Sequence, residues 1–596
     1  MTAHEALKTY FGYDNFRPLQ EEIIQSVLDG RDTLALMPTG GGKSLCFQVP
    51  TMAMGGLCLV ITPLIALMKD QVENLRRRDI RAAAIYTGMT YEQQKVALDN
   101  CQWGPYHFLY VSPERLESEE FRERLARLPI CLIAVDEAHC ISQWGYDFRP
   151  SYLKIAEIRE VIRGERQKGD EARRQAVPIL ALTATATPDV VDDIQERLAF
   201  REKNVLRKSF LRQNLSYVVR QTNKKADEIV HILSRVPGSA IVYVRNRQRA
   251  QELAAYLNEK GLSADFYHAG LTSQERAAKQ EAWRAYPHPL PKGKGVTRVM
   301  VSTNAFGMGI DKPDVRMVIH HDLPDTIEAY FQEAGRAGRD EQRAFAVLLY
   351  DPAQDKAKAR KRIADNYPPK EFVTDVYHKT CDFLGVGAGS GQGHTFMLPI
   401  NDLCRIMHLP ILQTYSALHL LTQAGYICFQ EEQEIQPRVK ILISQREMNE
   451  YGLSEQQYKL LELLMRKYSG IFTDLQYVHF DQLTTPITNS PSPMANRQFF
   501  HDLLVSLAQR HIITYIPHDT ANTLTFTRER QTDIYLPTTI YDNHRQQYIE
   551  KLKAMVEYAD NQLYCRSQLL LSYFGETDAA TCGTCDVCRQ KTKTQC

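Results

Sequence analysis

"TLALMPTGGGKSLCF" (residues 33–47) decides how the rest of the chain is read. A short apolar run, Thr33–Met37, stops at Pro38, and three glycines, Lys43, Ser44 and a helix-like stretch follow. In this strand–loop–helix order a glycine loop can wrap phosphate oxygens, and the helix N-terminus favours the anion. Thr39, Gly40, Gly41 and Gly42 form the cradle, Lys43 reaches the β- and γ-phosphates, and Ser44 offers a hydroxyl to magnesium. Such loops usually carry glycine where this chain has Met37; the surrounding context carries the reading.

Similar apolar runs recur on both sides: LCLVIT (57–62), ICLIAVD (130–136), ILALTATA (179–186), IVYV (241–244), VMVST (299–303), MVIHHD (317–322) and FAVLLY (345–350). Runs of this length, bounded by turns and alternating with helical patterns, predict parallel sheets covered on both faces. The span exceeds one sheet. Two α/β domains are expected, with the boundary in the weakly periodic stretch 205–217.

The run 130–136 ends in "VDEAH" (135–139). A carboxylate at the tip of a buried strand can bind magnesium, the role expected of Asp136, while Glu137 can orient or deprotonate an attacking water. In "YFQEAGRAGRD" (330–340), Arg336 and Arg339 lie three apart on one helical face. On their own, two such arginines make a solvated surface. Brought from a second domain to a γ-phosphate, they would stabilise the spreading charge and tie hydrolysis to domain closure.

At this point the chain resembles the RecQ family of superfamily 2 DNA helicases. The resemblance rests on FGYDNFRPLQ (11–20), MPTGGGKSLCFQVP (37–50), ITPLIALMKDQV (61–72), YVSPERL (110–116), AVDEAHCISQWGYDFRPSY (134–152), ALTATAT (181–187), FYHAGL (266–271), AFGMGIDKPDVR (305–316) and QEAGRAGRD (332–340). It implies two RecA-like domains and an adenine-recognition segment at Arg17 and Gln20, with Tyr13 as a stacking partner. It also implies Gln332 at the nucleotide and an aromatic loop, Trp144, Phe148 and Arg149, that couples single-stranded DNA to hydrolysis. Relatives usually carry His where this chain has Tyr146.

The order breaks after Tyr350. The basic stretch DPAQDKAKARKRI and the glycine-rich GVGAGSGQG (385–393) read as a helical linker and hinge over 351–394. Two winged-helix-like units are then expected in tandem. The first (395–446) has helices near 400–409 and 411–424 and a wing made of ICFQ (427–430) and VKILIS (439–444). The second (447–538) pairs IITYIP (512–517) with TLTFTRE (523–529). Neither wing tip, EEQEIQP or HDTAN, carries an aromatic wedge.

The last segment, 539–596, runs helical into "TCGTCDVC" (581–588). Cys565, Cys582, Cys585 and Cys588 suit a closed tetrahedral zinc site, although C-x-x-C-x-x-C spacing also suits an iron–sulfur cluster or a redox disulfide. The resemblance favours zinc, because "CRSQLLLSYFGE…CGTCDVC" is similar to the RecQ zinc module. Here that module is displaced behind the winged-helix-like units, with no room for an HRDC domain. It is expected to dock back on the second α/β domain. The other nine of the 13 cysteines, such as Cys58 and Cys131, read as small core residues or spares.

The whole chain bounds these expectations without deciding them. It has 596 residues, 44% hydrophobic and 24% charged, with a formal net charge of +1. That balance neither supports nor excludes a basic groove for nucleic acid. No apolar run approaches the ~18 residues of a membrane span, and the N-terminus has no secretory core. The expected protein is cytoplasmic and nucleoid-associated, a DNA helicase that uses ATP, magnesium and structural zinc. Its expected partners are single-stranded and forked duplex DNA and repair proteins held by the C-terminal half. The rivals are an RNA helicase, a non-unwinding translocase and an ATP-bound scaffold.

Overall fold

The apolar runs become adjacent parallel strands because each is buried on both faces and needs helices above and below. The computed structural model describes residues 1–594 other than 39, 87–88, 143–148, 168–176, 288–295, 308–311, 432–436, 445–446, 450, 469, 473–474, 479–492 and 517–521. The first domain contains β1 (Thr33–Leu36), β2 (Leu57–Ile61), β3 (Ala82–Ile85), β4 (Phe108–Val111), β5 (Ile130–Val135), β6 (Ile179–Thr183) and β7 (Val205–Arg207). They form one parallel sheet in the order β3-β4-β2-β5-β6-β1-β7. The second domain contains β8 (Leu215–Gln221), β9 (Ser239–Tyr243), β10 (Ala264–Tyr267), β11 (Val299–Ser302), β12 (Val315–His320) and β13 (Ala344–Tyr350). Its parallel sheet has the order β10-β11-β9-β12-β13-β8. These are the two expected RecA-like sheets.

A buried charge pins the first sheet. Asp32, fully buried just before β1, accepts from Arg159 Nη2 at 2.8 Å and from the Ile179 and Arg201 backbone N–H groups at 3.0 Å. Burial pushes its carboxyl up, but these donors outweigh burial and hold it below the ordinary range.

The chain divides into two compact units, one of residues 1–359 with 547–596 and one of residues 360–546. The first unit therefore includes the C-terminal helices, Arg566–Tyr573 and Asp586–Thr594, which pack against β8. Phe574 is fully buried, 5.3 Å from Phe210 and 5.0 Å from Phe331 between ring centroids. The Asp586 carboxylate accepts from the Val219 N–H of β8 at 3.4 Å. The expected return of the C-terminal module to the second α/β domain is thus met.

In the second unit, strand pairing corrects the tandem arrangement. The unit contains β14 (Thr395–Leu398), β15 (Ile427–Gln430), β16 (Arg438–Ile441), β17 (Gln476–Tyr477), β18 (Ile513–Ile516) and β19 (Asn522–Phe526). β15 does not pair with β16, nor β18 with β19. Instead β14-β19-β15 is one antiparallel sheet and β17-β16-β18 another. Helix Lys370–Phe383, β14, helices Ile400–Ile406 and Ile411–Gln423, β15 and β19 follow the winged-helix order, and the second winged-helix-like fold, with β16, β17 and β18, is inserted in its wing between β15 and β19. Each unit closes its own apolar core, one around Val376, Leu421 and Phe526, the other around Leu460, Phe500 and Ile513.

Two expectations for 351–394 change accordingly. Val373, Val376, Tyr377 and Cys381 lie in the winged-helix core, so that helix is not a linker. The glycine-rich stretch is no free hinge: Gly389 N–H donates to Arg530 O and Gly393 N–H to Phe526 O. Gly389, Gly391 and Gly393 have φ of +69°, +97° and +77°, which lets the chain turn there at little steric cost. Both tips, residues 432–436 and 517–521, lie outside the described residues.

Nesting makes a prediction. Gln430 pairs with Thr523, so a short Gly/Asn turn replacing residues 432–521 should close β15 and β19 into an ordinary hairpin. The shortened chain should keep a cooperative thermal transition for the 370–430 core. Loss of that transition would show that the insert and its host fold as one body.

Candidate active site and candidate metal centre

The glycine loop leaves the carboxyl end of β1. Gly40 and Gly42 adopt φ of +81° and +79°, the left-handed region where a side chain is strained. Space forbids one as well: a Cβ on Gly42 would sit 2.3 Å from Gln20 Nε2. That amide donates to Gly42 O at 3.0 Å, and Arg17 Nη1 donates to Gly40 O at 2.9 Å. Arg17 and Gln20 thus brace the loop's carbonyls, while Tyr13 is half-exposed. Ser44 Oγ accepts from Gln71 Nε2 at 3.3 Å, and Gln71 in turn accepts from Gln48 at 3.3 Å. Gln71 lies in the quoted ITPLIALMKDQV segment, but nothing in its spacing announces this contact.

Asp136 and Glu137 end β5. Tyr152 Oη donates to Asp136 O at 3.0 Å, and the Glu137 N–H donates to Asp136 Oδ1 at 3.0 Å. Asp136 keeps one edge open to solvent, yet burial and then the neighbouring Glu137 push its pKa up to about 6. Burial also pushes Glu137 up, but the charges of Lys43, His139 and Arg336 outweigh it and hold Glu137 below its ordinary value. Glu137 has φ +50° and ψ +47°, a conformation that costs about 1–3 kcal/mol for a non-glycine residue and turns the chain sharply after the strand. His139 Nδ1 lies 2.9 Å from Thr183 Oγ1 and 3.4 Å from Glu137 Oε2. Nothing in the sequence assigns His139 or Thr183 a part.

Both arginines come to this edge from the second domain. Arg336 is 5% exposed, donates to Gly307 O and acts electrostatically on Glu137. The Arg339 stem lies over the glycine loop, its Cγ 3.4 Å from where a Gly40 Cβ would be. Gln332 is buried on helix Ile327–Ala334, the element that carries the chain to both. Glu137 Oε2 and Arg336 Nε are buried without a hydrogen bond. An acceptor and a donor left open beside a glycine cradle and Lys43 fit a phosphate chain and an attacking water.

Thr39, Trp144, Tyr146 and Phe148 lie outside the described residues. Arg149 is described: its Nη1 donates to Pro63 O at 3.4 Å and lies 3.6 Å from Glu114 Oε1.

At the other end of the chain, the sulfurs of Cys565, Cys582, Cys585 and Cys588 all lie within 4.8 Å of one another. A 2.3 Å zinc–sulfur bond sets tetrahedral sulfurs about 3.8 Å apart. The spacing fits a single ion and leaves no room for a sulfide-bridged cluster. Backbone N–H groups of Cys582, Cys585 and Cys588 donate to the sulfurs of Cys565, Cys582 and Cys585 at 3.3–3.4 Å. Zinc here would tie the loop 582–588 to the start of helix Arg566–Tyr573. Arg566 then ties the loop inward, pairing with Asp586 at 3.0 Å and donating to Tyr558 O. Cys585→Ser should drop bound zinc from one per chain and lower the thermal midpoint by several degrees, since zinc binding is folding energy. Metal analysis and a thermal melt check this; retained zinc with an unchanged midpoint would refute the four-thiolate site.

Comparison with known proteins agrees with this geometry. The DEAD/DEAH box helicase model matches residues 17–194, the helicase conserved C-terminal domain model residues 224–341, and the RecQ zinc-binding model residues 521–589. The chain is 41% identical over 353 residues to the ATP-dependent DNA helicase RecQ of Haemophilus influenzae, covering 59% of this chain and 54% of that protein. It is 40% identical over 353 residues to the probable ATP-dependent DNA helicase RecS of Bacillus subtilis, covering 58% and 66%. The RecQ-like DNA helicase blm-1 of Caenorhabditis elegans is 37% identical over 374 residues, covering 61% and 36%. The chain thus spans between about a third and two thirds of these relatives' own length. A solved structure of Mycobacterium smegmatis helicase Lhr bound to ssDNA and AMP-PNP aligns with TM-score 0.46 at 19% identity, covering 70% of this chain and 57% of that one. Two helicase domains in sequence, four clustered thiols under the RecQ zinc-binding model and relatives near 40% identity place this chain in the RecQ family of superfamily 2 helicases.

Proposed function

We propose that this chain is an ATP- and magnesium-dependent DNA helicase that moves 3′ to 5′ along single-stranded DNA and separates duplexes in repair and recombination. One observation carries the reading: Arg336 and Arg339 of the second domain reach the glycine loop and Glu137 of the first. Hydrolysis then depends on how the two domains meet, which is the requirement for turning chemistry into movement. The names of the relatives, helicases of DNA, support the substrate.

Magnesium-bound ATP supplies the transferable phosphoryl group and the charge that draws the phosphates together. The loop 39–44 holds the phosphates, with Lys43 against the outer ones and Ser44 and Asp136 as magnesium ligands. Glu137, kept ionised by Lys43, His139 and Arg336, accepts the proton of the attacking water. Arg336 and Arg339 neutralise charge that builds on the departing phosphoryl group. Tyr13, Arg17 and Gln20 hold the base, which requires the Gln20 amide to exchange its Gly42 contact for the adenine edge. Gln332 completes the nucleotide set. Trp144 and Phe148 stack DNA bases and Arg149 meets a phosphate, so strand binding is felt next to Asp136. Such work places the protein on the nucleoid, with the second unit as its face toward repair partners. Among the described residues, no helix is long and apolar enough to cross a membrane.

Lys43→Ala should abolish ATP turnover. Arg336→Ala should lower kcat by roughly 10³–10⁵ with little change in fold. DNA-stimulated ATPase, together with unwinding of duplexes carrying 3′ or 5′ tails, checks both. Turnover by Lys43→Ala, or equal unwinding of an RNA duplex, would overturn the proposal.

A further inference from the structure

Behind Arg336 lies a buried histidine that has no part in the nucleotide site or the metal centre as described above. His320 is the last residue of β12 and is 1% exposed. Its register partner in the sheet is Tyr243, the last residue of β9, so both side chains leave the same face. The two rings stack at 5.4 Å with their planes 24° apart. Tyr330 of helix Ile327–Ala334 packs on the same imidazole at 4.9 Å. His320 Nε2 lies 2.9 Å from Glu333 Oε2, one turn further along that helix. Nδ1 is buried without a hydrogen bond. The tautomer with its proton on Nε2 leaves no N–H orphaned, so His320 donates to the Glu333 carboxylate.

Two routes lead from this ring to Arg336. The first runs through the helix. Glu333 stands three residues before Arg336, whose N–H donates to Glu333 O at 3.2 Å. Holding Glu333 therefore holds the start of the turn that launches the arginine. The second route runs through Tyr243. Its hydroxyl donates to Phe306 O at 2.7 Å, and the next carbonyl, Gly307 O, accepts from the Arg336 guanidinium. That contact is close: a Cβ on Gly307 would lie 3.0 Å from Arg336 Nη2. The imidazole thus backs the phenol that fixes the backbone on which the guanidinium rests. An apolar side chain could fill the same space without leaving a ring nitrogen unpaired. What the imidazole adds is a directional bond to a carboxylate on the helix that leads to Arg336.

We infer that His320 is a positioning residue for Arg336: it holds the helix end through Glu333 and the receiving carbonyls through Tyr243, and so keeps the guanidinium at the departing phosphoryl group. The effect on hydrolysis rests on the function proposed above. The physical coupling of His320 to Arg336 does not.

The test uses the full chain and the variants His320→Ala, Glu333→Ala and Glu333→Gln, with kcat and KM for ATP measured in the presence of single-stranded DNA. A displacement of about 1 Å can cost about 10²-fold in rate, so kcat is expected to fall about 10–10²-fold in both alanine variants, with KM within about twofold. Glu333→Gln still accepts the imidazole N–H and should turn over near the parental rate. In an Arg336→Ala background, His320→Ala should lower kcat no further. A merely structural histidine would shift the thermal midpoint and leave the kcat of the folded protein unchanged. Parental kcat in folded His320→Ala or Glu333→Ala overturns the inference, as does an undiminished further loss in the Arg336→Ala background. If His320→Ala does not fold, Glu333→Ala, at a partly exposed position, decides. If the parent hydrolyses no ATP, the proposed function fails and thermal midpoints decide the coupling. Losses from His320→Ala and Arg336→Ala that fall short of adding in the double variant support it, and additive losses overturn it.

Discussion

Two adjacent carboxylates at the end of one buried strand set the terms for the active edge. Asp136 and Glu137 cannot both sit ionised in such surroundings without cations close by. Lys43 supplies one from the glycine loop, and Arg336 another from the second sheet. The pair divides accordingly: Asp136 is raised toward neutrality while Glu137 stays ionised. The second domain therefore meets part of that electrostatic demand, through Arg336.

The arginines do not share a helical face as the sequence suggests: they sit in the turns just after helix Ile327–Ala334, and that helix is backed from behind. Tyr330 and Phe331 of helix Ile327–Ala334 pack on Tyr558 at 5.3 Å and Phe574 at 5.0 Å, both from the C-terminal module. Lys551 adds an ion pair to the buried Glu328 at 3.6 Å. The C-terminal helices are thus a scaffold for the helix that leads to Arg336, rather than a separate appendage. The chain can travel through residues 360–546 and still return because that unit's own ends are pinned together. Tyr541 Oη donates to Pro368 O at 2.7 Å, and Lys370 pairs with Asp542 at 2.7 Å. An insertion with adjacent ends costs its host little.

Legibility followed sequence distance. The buried strands, the glycine loop, "VDEAH" and the cysteine knuckle each declare themselves within a few residues, because their chemistry needs neighbours in the chain. β3, an Ala-rich strand, gives no such signal, since Ala83 and Ala84 carry none of the β-branched character that marks a strand. Gln71, His139 and Thr183 were invisible for a different reason. Their contacts cross between segments, and a lone Gln, His or Thr has no spacing to read. The wing pairings failed likewise: ICFQ and VKILIS sit near each other in sequence, yet β15 finds β19 more than 90 positions on.

The sequence by itself determined the family, the two parallel sheets, the glycine loop, the paired carboxylates and the four thiols, because each is a local pattern of residue types. Only the tertiary structure decided that Arg17 and Gln20 brace the loop, that one winged unit is nested within the other, and that the C-terminal module backs the helix leading to the two arginines. Those outcomes depend on which buried surfaces and strand edges meet across long stretches of chain. Local propensity does not encode that choice; the burial of apolar faces and the pairing of backbone edges do.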